Sequence, residues 1–457
     1  MIYSIGIENG KKTHPQAIQI RSVEIYNYRN STKGGTSLKN VQSADISSII
    51  ARLSISESIY SPTLRLKIGI KDAANFMESF PLTGQETIKI NIEQATAYSD
   101  ELIQSTLEFY VIDYPKYGKG DNENVSAYVI EAISKHAFVS GFKKICRSYK
   151  NSTSSEIATI LENECEVSAN KIKIEGQDIS KSKGVLNIQT PLSAVEFLRK
   201  GMYDADGAPF YLYETLNGNI NLRSYSAMVD EKTNPNYKTY YDHRGSVSGR
   251  PDSQQAYEEL SSRILDLSSN LKLSKYYQGR EGAFASENNF LDWSNKSYTT
   301  VNYNYLNDIN PRVNCLEDNY ILSTDFKIDD TSLNEAYKSN ISYISKNDEA
   351  FPEDVNYGSS LLFANHYLKA YHELLDTYTH NIKLYGDINL NAGKIITLKI
   401  PKAIDPESRA LSGADSTEYY DEALTGKYLI TSVIHEVADG EYYSQVQVKR
   451  DSFSIGL

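Results

Sequence analysis

Apolar and polar residues alternate along much of the first third of the chain. In Thr63–Ile70, Leu64, Leu66, Ile68 and Ile70 fall on one face, the period-two pattern of a half-buried strand. Ile88, Ile90 and Ile92 repeat it. Leu107, Phe109 and Val111 make a third strand, ended by Tyr114-Pro115, and Val125–Ile133 makes a fourth. A helical turn over Asp72–Ser79 and a turn at Pro81 and Gly84 punctuate the run, and Lys116–Glu123 reads as a Gly- and Asp-rich loop.

The middle of the chain changes period. Thr153-Ser154-Ser155-Glu156 has the spacing of a capping box and predicts a helix to about Glu164. Thr190-Pro191 predicts a second start, with Leu192, Val195, Leu198 and Met202 on one face and Gly207 breaking the chain beyond it. Pro209–Thr215 and Ile220–Tyr225, joined by Asn217-Gly218-Asn219, predict a hairpin. Residues 227–256 are polar, with Asn-Pro, Arg-Gly and Arg-Pro steps, and read as a linker or exposed loop. Residues 257–350 hold irregular strand-like segments. Ser359–Tyr378 predicts a helix whose apolar face is Leu361, Ala364, Leu368, Tyr371 and Leu375. Strands return at His380–Tyr385, Lys394–Ile400, Lys427–Val437 and Tyr442–Arg450.

Two β-regions share an order of parts. Leu82-Thr83-Gly84 precedes Ile88-Lys89-Ile90, and Leu390-Asn391-Ala392-Gly393 precedes Leu398-Lys399-Ile400. A long strand follows each, Leu107–Tyr114 or Tyr428–Val437, then a loop and a final strand, Val125–Ile133 or Ser444–Arg450. The order fits any two β-meanders, and it also fits a duplicated β-domain with an α/β domain between the copies.

Length adds a bound: 457 residues are too many for one ordinary core and enough for two to four domains. Tyrosine is over-used, at 36 against 13 Phe and 1 Trp, which suits strands and wet interfaces. The net charge of −12 disfavours a grip on nucleic-acid phosphates. Cys146, Cys165 and Cys315 form no CxxC pair, so neither a disulfide framework nor a zinc site is suggested. The first residues lack the basic start and apolar stretch of a secretory signal, and no apolar run is long enough for a membrane helix.

The search for chemistry yields no motif. Of His14, His136, His243, His366, His372, His380 and His435, no two stand at the i, i+4 spacing of a zinc helix; Asp376 occupies that place after His372-Glu373. No nucleophile elbow or phosphate-cradling loop occurs, and Gly118-Lys119-Gly120-Asp121 is a turn. Acid pairs such as Glu162/Glu164 and Asp329/Asp330 are expected by chance among 59 acids. Lys143, Lys144 and Arg147 form the densest basic cluster and read as solvated surface. No catalytic, cofactor-binding or metal-binding residue is assigned, and no cofactor is expected.

Three stretches resemble a known family. Ala51–Pro62, leading into Leu64–Ile70 and Asn75-Phe76, resembles the first tube-like domain of the baseplate central hub proteins of T-even-like contractile-tailed phages. Pro191–Tyr225, with Gly-Ala-Pro-Phe-Tyr-Leu-Tyr at 207–213, resembles their α/β domain. Leu424–Val437, Tyr442-Tyr443 and Arg450-Asp451-Ser452-Phe453 resemble the end of their second tube domain. The resemblance implies a mainly β, α+β chain with two tube-like antiparallel β-barrel domains flanking a mixed α/β domain. The expected division is 1–140, first tube-like β domain; 141–250, α/β domain; 251–355, irregular connecting or peripheral region; and 356–457, a helix plus the second tube-like β domain.

The resemblance further implies a non-enzymatic virion protein, assembled in the host cytoplasm. It would form a homotrimer that joins the six-fold tail tube or tube-initiator ring to the three-fold central spike protein. The ring would enclose the channel for DNA and the tape-measure protein, within the surrounding baseplate wedge proteins, with no specific nucleic-acid binding and no membrane insertion. Acidic residues are expected on the channel wall. The alternatives are a spike-base protein of a related secretion or contractile injection system, and an unrelated carbohydrate hydrolase. The first would continue into a needle-like β-helix beyond Ser454-Ile455-Gly456-Leu457; the second would turn over cell-wall glycan.

Overall fold

The structure is a computed structural model. It describes residues 18–31, 38–95, 102–119, 125–242, 259–272, 274–293, 296–308, 316–317, 322–323, 325–346, 368–402, 420–438 and 440–452, with strand pieces at 3–4, 7–8 and 11–12. The architecture is mainly β with helices between large antiparallel sheets, as expected.

Ten strands carry the framework. The first five are β1 (Ile50–Ser58), β2 (Ser61–Asp72), β3 (Thr87–Ala95), β4 (Leu102–Lys119) and β5 (Ser126–Ser134). The second five are β6 (Ile264–Leu271), β7 (Tyr378–Tyr385), β8 (Ile395–Lys399), β9 (Gly426–Ala438) and β10 (Glu441–Arg450). Within the first set the neighbours run β3-β4-β5-β2-β1, all antiparallel. Within the second they run β8-β9-β10-β7-β6, again all antiparallel. The two orders are the same.

The register repeats in part: two irregularities are shared, and the first module has two more, between Val129↔Lys116 and Glu131↔Asp113 and between Ser56↔Arg65 and Ser58↔Ser61. Between β4 and β5 the pairing passes from Val111↔Ala132 to Asp113↔Glu131, leaving Ile112 as a bulge. Between β9 and β10 it passes from Ile430↔Val448 to Ser432↔Gln447, leaving Thr431 at the same place. Ala51 is bulged between Ile50↔Ile70 and Arg52↔Gly69 in the β1–β2 pair, and Leu265 between Ile264↔Leu384 and Asp266↔Lys383 in the β6–β7 pair. A bulge adds one unpaired residue and bends its strand, so two shared bulges give both modules the same local bends. Any two meanders can share a strand order; the two shared bulges are what a duplicated β-domain would add to it.

The modules differ in what lies outside the five strands. Ile18–Ser31 pairs antiparallel with β3, while Thr239–Tyr241 pairs parallel with β8. The latter segment lies in the stretch read as a linker, and β6 lies in the stretch read as irregular.

Strand alternation forms as the apolar pattern requires: in β2, Leu64, Leu66, Ile68 and Ile70 are buried and Arg65 and Lys67 exposed. The first module's core continues into Leu216, Ile388, Val437 and Tyr442, so the middle domain and second module close it. Contrary to the expectation, β4 does not stop at Tyr114-Pro115 but runs to Lys119. A proline is tolerated on a strand edge, and beyond the Ile112 bulge β4 has only β5 beside it among the described residues.

The middle domain packs helices Thr153–Asn163 and Pro191–Arg199 on short sheets. Thr190 caps the second helix, accepting from the Ser193 N–H at 3.3 Å, with Pro191 in its first turn. The expected hairpin forms from Phe210–Glu214 and Ile220–Ser224, with Gly218 at φ 76° in the turn. Within 257–350, Ala285–Asp292 pairs antiparallel with Ser297–Asn304 and parallel with Ile341–Lys346 as a separate small sheet. Of the helix expected at Ser359–Tyr378, residues 368–375 are helical, with Tyr371 and Leu375 buried; Leu361 and Ala364 lie outside the described residues.

Candidate functional site

The residues singled out for chemistry do not converge. His136 is buried with Nε2 at 2.9 Å from the Pro62 carbonyl. His372 packs against Tyr60 and Tyr211. His380 bonds Ser269 and Tyr428, at 2.8 and 3.1 Å, and His435 bonds Tyr442 at 2.9 Å. Burial lowers His380 and His435 to about 4, so both stay neutral near pH 7. His14, His243 and His366 lie outside the described residues, among which no cluster of metal-ligating side chains occurs. Asp329 and Asp330 are exposed in a turn, both at positive φ. The basic cluster is structural in part: Lys143 donates to the Glu164 carbonyl at 2.8 Å, and Arg147 pairs with Glu156 at 2.6 Å.

What the structure brings together instead is a junction of three parts of the chain. Glu57 lies on β1 in the face formed by Leu53, Ile55 and Ile59, and is buried. Its carboxyl accepts from the Leu216 N–H of the middle domain at 2.8 Å and from the Ala392 N–H of the second module at 2.5 Å. Burial pushes this carboxyl up to about 8; the two N–H groups and Lys394 oppose the shift, and Glu214 adds to it. Glu214 itself accepts from the Leu64 N–H at 2.9 Å and from the Ser134 hydroxyl. Gln94, at the end of β3, accepts from the Ile388 N–H at 2.7 Å and donates to the Gly386 carbonyl at 3.1 Å. Sequence reasoning missed all three. The signal was there for Glu57 and Gln94: each is a polar residue continuing the buried face of an alternating strand.

Beside this junction the modules join edge to edge. β1 pairs antiparallel with β9 from Ser58↔Ser432 to Arg52↔Ala438. β8 covers only Gly426–Leu429 of β9. The bulge at Thr431 therefore divides β9 into a half that pairs within its module and a half that receives β1. Arg52 and Glu436 bond across the seam at 2.6 Å, and the Ile59 N–H donates to the Thr431 carbonyl at 2.9 Å. The result is one sheet through both modules.

The solvent face of this sheet carries both signs of charge. Arg52, Arg65, Lys67 and Lys71 share it with Glu108, Asp113 and Asp266. Lys67 pairs with Glu131 at 2.7 Å, and Lys449 pairs with Asp376.

The fold matches solved structures at low sequence identity. The 43 kDa tail protein of prophage MuSo2 from Shewanella oneidensis is 12% identical, with a TM-score of 0.50 over 94% of this chain and 99% of that one. The tail protein from Neisseria meningitidis MC58 is 10% identical, with a TM-score of 0.49 over 95% and 99%. A type VI secretion component of E. coli is 9% identical, with a TM-score of 0.42 over 96% and 78%. No family model and no curated protein matches the chain. Similarity at these identities concerns the fold alone.

Proposed function

We propose that this chain is a structural subunit of a phage tail, a baseplate hub in which three copies form a ring around a channel. The observation that carries the reading is the internal duplication: two five-strand modules with the same order and the same two bulges, already joined edge to edge. Three chains then present six equivalent modules. Such a ring meets a six-fold tube on one side and a three-fold spike on the other, the mismatch a hub must resolve. The fold shared with the prophage tail protein supports the same assignment.

In this reading the partners are two further copies of the chain, the central spike, the tube or its initiator ring, the tape-measure protein and the surrounding wedge proteins. The subunit acts by shape and contact, without a catalytic step, as part of the virion tail. The continuous sheet supplies the channel wall, so the wall is polar and charge-paired. Native mass measurement of the full chain tests the reading: a three-chain species is expected, and a monomer at every concentration would overturn it.

A further inference from the structure

A cleft of about 630 Å³ opens beside the bulge of β4, where the first module meets the short helix Lys135–Gly141. That volume is in the range of small-molecule sites. Four aromatic rings line it: Tyr28 from the strand Ile18–Ser31, Tyr110 from β4, Phe138 from the helix and Phe142 just after it. Tyr110 and Phe138 stack with centroids 4.9 Å apart, and Phe138 and Phe142 lie 4.9 Å apart at a tilt. The bulged Ile112 also lines the cleft. Phe142 is 80% exposed and Tyr28 and Ile112 are each 50% exposed, so the lining is open to solvent. Large apolar groups gathered in one open, concave place mark a binding site more than scattered ones do.

Charge sets the class of ligand. No lysine, arginine or histidine lines the cleft, and one carboxylate, Glu86, does. Glu86 accepts from the Thr83 and Gly84 N–H groups, at 2.5 and 2.8 Å, and from the Thr83 and Tyr114 hydroxyls, at 3.0 and 2.7 Å. All four donors are uncharged, so among the described residues no cationic side chain offsets this carboxylate. Both of its oxygens are occupied twice, which leaves no free oxygen ligand for a metal ion. Tyr110 reports the same field: its phenol is held above the ordinary value by burial first, then by Glu108, Tyr28 and Glu166. Lys135 and Lys143 lie near Glu166, at 3.3 and 3.7 Å, and do not line the cleft.

We propose that this cleft binds a quaternary ammonium ion of the choline type, a use independent of the ring reading above. Aromatic rings attract a cation through the negative potential of their faces, and a trimethylammonium group, weakly hydrated, gives up little water to sit among them. A small, strongly hydrated cation would need oxygen ligands that the lining does not offer. An anion attached to the ammonium would meet no basic partner. Phosphocholine and glycine betaine should therefore bind more weakly than choline itself.

Saturation-transfer NMR and titration calorimetry on the full chain test this with choline and with neopentylcarbinol, its neutral carbon isostere. Choline should bind saturably in the millimolar range, and the neutral isostere about tenfold more weakly. Phe142→Ala, at an exposed position, should weaken choline about threefold without moving the urea midpoint. Glu108→Gln, also exposed, should weaken choline and leave the isostere unchanged. Equal affinity for the two molecules would reduce the cleft to an ordinary apolar groove and overturn the proposal. So would choline binding that survives both substitutions unchanged, and so would the lack of any saturable binding.

Discussion

Glu57 shows how one side chain can tie a multi-part chain together. It has no charged partner in contact, yet two backbone N–H groups from distant segments end on it. Glu57→Leu leaves both donors buried and unpaired, and should destabilise the protein by about 2–6 kcal/mol at neutral pH, read from urea midpoints. The pH dependence has a definite sign. The folded Glu57 keeps its proton to about 8, while the unfolded carboxyl loses it near 4.5, so stability falls as pH rises between these values. His380 and His435 act on the other side: held neutral down to about 4, they lose stability as pH falls from 6.5 toward that value. Urea midpoints across pH should therefore pass through a maximum, and the high-pH limb should flatten in Glu57→Leu. These residues were only half legible. A polar residue on an apolar face announces that something must satisfy it, but the partners are backbone groups hundreds of residues away, which no local pattern records.

At the scale of elements, legibility followed burial. β2, β5 and β10 alternate buried with more exposed positions, and β3 does so over Ile88–Ile92, so period-two alternation exposes them in the sequence, while β9, buried on both faces over Tyr428–Thr431, reads from its apolar run. β6 escaped because only Ile264 is fully buried, and Asp266, Ser268, Ser269 and Asn270 read as loop. That composition suits a strand on an open edge. The distal half of β4 escaped for a related reason, since Pro115 signals a stop where the strand merely lacks a second neighbour. The bulges were invisible, because their effect lies in register. The join between the second module and the middle domain includes one tight position. Gly393 sits at φ 83°, and a Cβ there would lie 2.1 Å from the Tyr213 hydroxyl oxygen. Gly393→Ala should cost about 1–3 kcal/mol. Because the strain falls between domains, limited proteolysis should show cleavage around the middle domain before the core strands are lost.

For the whole molecule, the sequence left the duplication as one of two open readings, and the shared strand order and two shared bulges support it. The absence of catalytic motifs, a weak argument by itself, acquires a context in two β-modules of the same strand order and a buried junction that ties them together. In the proposed reading both serve assembly. A net charge of −12 does not say which face carries it, so the expected acidic wall rests on the assembled ring and not on composition. The most direct test of the central claim is a reconstruction of the assembled particle by electron cryomicroscopy. The account expects a three-fold ring of six β-modules, the two kinds alternating. A particle in which the two modules occupy different layers, or in which one module lies outside the ring, would contradict it.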